Sequence, residues 1–241
     1  MPVTRIYFDD FVPRSGERQV RQMLMRSLDT NAGHRRHRES GFSLLEMMIV
    51  LALLLIVASI TFISLMPALQ QQHVTNAYNT TLSAMRQARD NAVSQRTSYS
   101  VTFANAATPN TIVVTPTLLG FVGDQNTVTY QLPTDVTFNV QLGFPTPGPD
   151  NYGTGTAAID FGYTANGGAG GGTTIFFCPD GSAQTAACSA GGYANNWDGG
   201  VVYMGLPGNI LSSRALTLSG GTGRVHGWRL TNNGGYQWLR Q

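Results

Sequence analysis

Glu46 is the side chain with the clearest chemical consequence, because it stands at the edge of a stretch, Met47 to Leu69, that contains no ionisable side chain. About 20 apolar residues at 1.5 Å each cross a hydrocarbon core of ~30 Å, so this stretch is a membrane helix by length. A carboxylate at its edge costs a few kcal/mol to bury and is by default a functional group that needs a partner. The other reactive residue types form no comparable pattern. His73 falls on a predicted helix, His226 lies near the end of the chain, and the eight acids of residues 42–241 are scattered. No spacing among them makes a nucleophilic triad, a carboxylate pair or a metal set. Two glycine-rich tracts, 166–172 and 190–200, do not lead from a strand into a helix with phosphate-loop spacing. The chain therefore reads as non-enzymatic, with no metal and no cofactor expected.

The elements that position Glu46 come next. Arg35, Arg36 and Arg38 precede the apolar run, and residues 1–41 carry 8 arginines against 5 acids, whereas residues 42–241 carry 7 against 8. The basic balance thus belongs to the leading segment. It fits the positive-inside rule, with the leading segment on the cytoplasmic side and everything after about Leu69 exported, and it does not call for nucleic acid. Beyond the span, Val74, Tyr78, Leu82, Met85, Ala88 and Ala92 recur at three- and four-residue steps among polar positions. This predicts an amphipathic continuation of the same helix to Arg96, with a stripe that packs on the following domain.

From Ser98 the period changes to two. Strands are predicted at 99–103, 111–115, 128–132, 136–140, 157–161, 174–177, 201–204, 215–219 and 224–229, separated by Pro, Gly, Asn and Asp. A long helix followed by short strands predicts an α+β fold in which the helix rests on an antiparallel sheet or sandwich.

Gly41-Phe42-Ser43-Leu44-Leu45-Glu46, with a basic segment before it and an apolar helix after it, resembles the class III signal of type IV pilins and type II secretion pseudopilins. The resemblance implies that a membrane aspartyl peptidase cuts after Gly41 and methylates the new amino terminus at Phe42. Glu46, then the fifth mature residue, would pair with the amino terminus of a neighbouring subunit. It also implies a removed leader (1–41, longer than is usual in the family), an amino-terminal helix (42–96, transmembrane to about 69) and a β-rich domain (97–241). The chain would be a single-pass protein of the bacterial inner membrane with its carboxy-terminal domain in the periplasm, and its partners the prepilin peptidase and other pilin subunits. In many major pilins a helix-bending proline and an earlier glycine would fall at Ile63 and Leu55; here the proline is Pro67. A bend is expected near 64–67, and the shift points to a minor subunit.

In an exported chain Cys178 and Cys188 read as a disulfide. Phe177-Cys178-Pro179-Asp180-Gly181-Ser182, then Arg214-Ala215-Leu216-Thr217-Leu218-Ser219 and Gly223-Arg224-Val225, resemble the carboxy-terminal domain of GspH and FimT minor pseudopilins and pilins. Some FimT-type proteins bind DNA through a Gly-Arg-x-Arg motif, which would place Arg224, His226 and Arg229 on nucleic acid. The competing expectation is a final β-hairpin whose aromatic residues pack on the core. The competing function is a signal-anchored extracytoplasmic binding domain that never polymerises.

Overall fold

The computed structural model describes residues 41–105, 108–117, 127–153, 155–163, 170–188 and 198–241. Arg35, Arg36 and Arg38, residues 166–169 of the first glycine-rich tract and residues 190–197 of the second lie outside the described residues. The chain divides into two compact units at Ile56 and Val57.

A continuous helix, α1 (Leu44–Gln95), begins where the Met47 amide donates to the Ser43 carbonyl at 3.1 Å. Every residue from Gly41 to Gln72 is exposed, and the helix is long and apolar enough to cross a membrane. The helical backbone continues through Pro67, so the expected disturbance there does not end the helix. The missing N–H withholds one hydrogen bond from the Ile63 carbonyl. α1 stops where Arg96 takes a left-handed conformation, φ 52°.

Among the described residues, two antiparallel five-stranded sheets follow. Sheet 1 contains β1 (Ser98–Ala104), β2 (Thr111–Thr117), β3 (Val128–Gln131), β5 (Thr174–Phe177) and β6 (Ala183–Gln184), in the order β3-β2-β1-β5-β6. Sheet 2 contains β4 (Ile159–Tyr163), β7 (Gly199–Met204), β8 (Arg214–Ser219), β9 (Arg224–Asn232) and β10 (Tyr236–Arg240), in the order β10-β9-β8-β7-β4. One core is shared by the helix stripe, with Val74, Met85 and Ala88, by Val101 and Ile175 of sheet 1, and by Val202 and Leu216 of sheet 2. This is the α+β architecture expected from the change of period at Ser98.

Three expected strands need correction. The segment 136–140 is not a strand: only Thr137 bridges Gly205, by reciprocal 3.1 Å backbone bonds. Its alternation is real, since Val136 and Phe138 are buried, but the backbone has no continuous partner, and Phe138 fills the core edge-on to Phe103. β4 starts two residues late, at Ile159, and runs to Tyr163 over a bulge at which Gly162 has φ 114°. β9 continues past Arg229 to Asn232 and turns through Gly234 and Gly235 into β10, which is the expected hairpin.

Sheet 2 is covered on both faces. Val201, Tyr203 and Ala215 point away from α1 and pack with Trp228 and Trp238 of the same sheet under Val140, Phe144 and Tyr152. On the other face Tyr78 lies so close to β9 that a Cβ on Gly227 would sit 1.6 Å from its hydroxyl oxygen. Burial raises the Tyr78 pKa, an effect opposed by the nearby Arg86 and Arg214. Gly227→Ala is expected to lower unfolding free energy by roughly 1–3 kcal/mol through overpacking, which thermal denaturation of the full chain in detergent checks.

Candidate functional site

Two regions carry the residues singled out by sequence. The first is the head of α1. Phe42 is 76% exposed and Glu46 stands in the first helical turn. Among the described residues none forms an ion pair with Glu46. A Cβ on Gly41 would meet nothing within 4 Å, and Gly41 has no positive φ. Nothing among the described residues therefore requires glycine at 41, in contrast to Gly227.

The second region is where the short carboxy-terminal motifs meet. Cys178 and Cys188 form a disulfide. The turn after Cys178 is closed by Gly181 N–H to the Cys178 carbonyl at 2.8 Å and Cys178 N–H to the Ser182 carbonyl at 2.9 Å. Asp180 Oδ1 accepts from Ser182 N–H at 2.9 Å and from its hydroxyl at 2.6 Å. This is the local chemistry that Pro-Asp-Gly-Ser favours, with Gly181 at φ 84°. Gly223, φ 59°, packs so tightly against this turn that a Cβ would fall 2.2 Å from the Gly181 carbonyl oxygen. Arg89 of α1 joins them: its Nε–H donates to the Gly181 carbonyl at 3.2 Å and to the Thr222 carbonyl at 3.1 Å. The Pro-Asp-Gly-Ser turn and the Gly-Arg-Val segment, with 40 residues between them, are thus tied together by one helix arginine.

Arg224 and His226 line a cleft of about 390 Å³ with Arg86, Arg89, Asp90, Gly223, Val225 and Arg240. Arg229 is not with them. Strand alternation puts it on the side of Gly227, where it pairs in register with Arg214 of β8. Arg214 is only 7% exposed, and its pKa is lowered by burial first and by Arg229 second, while Tyr78 opposes the shift. His226 Nδ1 lies 3.0 Å from Asp150 Oδ2, which also accepts from the Thr217 hydroxyl at 2.6 Å. The Trp228 indole N–H donates to Thr217 Oγ1 at 2.9 Å. Asp150 holds this position from a left-handed backbone, φ 56°, and so fastens the segment covering sheet 2. His73 is elsewhere, 2.8 Å from Asp135.

Sequence reasoning missed Arg89 and Asp150. Arg89 had a faint signal, a guanidinium three residues after Arg86 on the edge of the apolar stripe. Asp150, in a Pro-Gly-Pro-Asp-Asn run, reads only as a turn residue. No group of three His, Cys, Asp or Glu side chains suitable for a metal occurs among the described residues.

Residues 36–62 match the model of the prokaryotic N-terminal methylation motif, the motif of type IV prepilin-like chains. No curated protein and no solved structure matches the chain. The motif supports the pilin and pseudopilin superfamily, and points to a structural subunit rather than an enzyme.

Arg89→Met keeps the aliphatic stem and removes both carbonyl contacts. It is expected to cost about 1–3 kcal/mol of stability, measured by urea denaturation of the full chain under oxidising conditions. A loss of a few tenths of a kcal/mol would show that the two turns hold without it.

Proposed function

We propose that this chain is a minor pilin or pseudopilin of the GspH/FimT type, made as a membrane-inserted precursor and assembled through α1 into a type IV pilus or secretion pseudopilus. The observation that carries the reading is the methylation motif at 36–62, set at the head of a helix whose later turns are the spine of the β domain. In this reading water hydrolyses the Gly41–Phe42 peptide bond, residues 1–41 leave as the leader, and the freed Phe42 amine takes a methyl group from an electrophilic donor in exchange for a proton. Gly41 supports this because packing among the described residues gives no reason for a glycine there; the reading assigns that reason to an external reader, the prepilin peptidase.

Glu46 has the complementary role. A carboxylate in lipid is stable only when its charge is matched, and the positive amino terminus of a neighbouring mature subunit supplies that match and sets the docking register. The exposed apolar residues before Leu69 are reburied against other such helices, which favours leaving the bilayer for a filament. The arginines before the span keep the leader cytoplasmic and the β domain in the periplasm. A signal-anchored domain that never polymerises is the competing arrangement, and it would keep residues 35–41.

Glu46→Val is expected to be processed like the wild type but to be absent from the sheared filament fraction on immunoblots. Normal incorporation would contradict the proposed pairing. Gly41→Trp is expected to accumulate at precursor length, whereas mature-length protein from this variant would exclude the peptidase assignment.

A further inference from the structure

One end of the β domain carries apolar side chains that the fold does not cover. Leu142 is 101% exposed, Leu211 46% and Tyr236 37%. They come from three segments that meet. A Cβ on Gly143 would lie 3.5 Å from the Ile210 side chain and 3.5 Å from the Tyr236 ring, and Gln141 Nε2 donates to the Leu206 and Asn209 carbonyls at 3.0 and 3.2 Å. The three segments, 136–149, 199–213 and 230–239, contain no Asp, Glu, Lys, Arg or His.

Position along α1 decides what this end meets. Gly223 abuts Arg89 and Gly227 abuts Tyr78, so β9 runs back along α1 toward its apolar stretch. Asn232, the last residue of β9, is five strand residues beyond Gly227, a length of about 17 Å. The same length measured back from Tyr78 at 1.5 Å per helical residue is about 11 residues and falls at Pro67. The other two segments start from a similar level. Asp135 lies 2.8 Å from His73, and Thr137 bridges Gly205, where the turn that carries Leu211 begins. His73 is four residues past Leu69, where the run without ionisable side chains ends, which is about 6 Å of helix. All of these residues belong to one compact unit, Val57–Gln241.

We infer that this end of the β domain is a lipid-binding surface, which rests on the headgroup layer of the bilayer that α1 crosses and places Leu142, Leu211 and Tyr236 at its boundary with the acyl chains. The inference rests on the membrane reading of α1 given above and goes beyond filament assembly. Lipid is the occupant because the three side chains stand level with the end of a helical stretch whose length suits the hydrocarbon core. At that depth leucine is buried favourably and tyrosine keeps its ring among the acyl chains and its hydroxyl among the headgroups. Segments without charged residues avoid the cost of placing a charge there. Arg229 is exposed and three residues short of Asn232, about 10 Å further back, at a height where a guanidinium meets lipid phosphate. A second contact besides α1 restrains rotation of the domain about the helix axis while the chain is in the bilayer.

The test uses the full chain, one copy per nanodisc of phosphatidylethanolamine and phosphatidylglycerol, with a fluorescent bimane on one introduced cysteine; Cys178 and Cys188 are held in their disulfide. The label on Leu142→Cys is expected to lose most of its fluorescence to a nitroxide lipid labelled near the head of its acyl chain. The label on Ser94→Cys, 25 residues past Leu69 and so about 38 Å along the helix, is expected to lose none. Val57→Cys, inside the apolar stretch, reports insertion of α1 through a nitroxide deep in the acyl chain. Quenching at Val57 without quenching at Leu142 would overturn the lipid surface and leave the membrane helix standing, whereas no quenching at either would overturn the membrane reading and the inference with it. A Leu142 label shielded from aqueous iodide yet untouched by the nitroxide lipid would overturn it in favour of a protein contact. The unlabelled chain gives a second readout: amide exchange at 233–236 in the nanodisc is expected to be about tenfold faster in Leu142→Asp/Leu211→Asp than in the wild type, with exchange in β1 and β8 unchanged as evidence of folding. Equal exchange at 233–236 would overturn the inference.

Discussion

The β domain depends on burial of one stripe of α1. Val74, Ala77, Ala84, Met85, Ala88 and Ala92 lie at helical spacing and are essentially inaccessible to solvent, and they contribute to a core that also takes residues from both sheets. Four of the six are alanines, so the helix backbone can approach the strands closely. Tyr78 on Gly227 is the limiting case, in which β9 has no room for even a methyl group. Burial of apolar surface is the main favourable term in folding, and here a large part of it is available only when helix and sheets are present together. The same helix begins with an apolar stretch of a length suited to lipid. One element thus changes character along its length, from all-round exposure to a single buried stripe, near His73 and Val74.

The glycines separate two kinds of constraint. Gly181, Gly223 and Gly227 are held by the fold: each has a positive φ, a neighbour that a Cβ would strike, or both. Gly41 has neither, yet it lies within the one region that matches a family model. Gly41 thus stands beside an exposed phenylalanine and near an acidic residue with no ion-pair partner among the described residues, and nothing described there packs against it. The Pro-Asp-Gly-Ser and Gly-Arg-Val turns are the converse case, since their residues are explained by Arg89 and by each other.

What was legible in the sequence was local. The long apolar helix and its amphipathic stripe follow from hydropathy and a 3.6-residue period, and most strands follow from alternation between turn residues. The segment 136–140 misled because alternation reports which side chains are buried, whereas a strand also needs a continuous ladder, and this segment makes an isolated bridge, Thr137 to Gly205. The two-residue β6 is too short to carry a period. The Arg89 clamp and the Asp150 fastening join residues 92 and 76 positions apart, and no spacing rule connects such pairs. Arg224, His226 and Arg229 read as one basic group, but a strand sends 224 and 226 to one side and 229 to the other. The basic cleft instead recruits Arg86 and Arg89 from α1.

The account rests on Gly41 and Phe42 being the point at which the precursor becomes the mature subunit. Intact-mass and amino-terminal analysis of the protein isolated from its native membrane tests this most directly. A chain beginning at N-methylated Phe42 is the predicted result. A chain that retains Arg35 to Gly41, or begins elsewhere, would contradict the account and leave α1 as a plain anchor for the β domain.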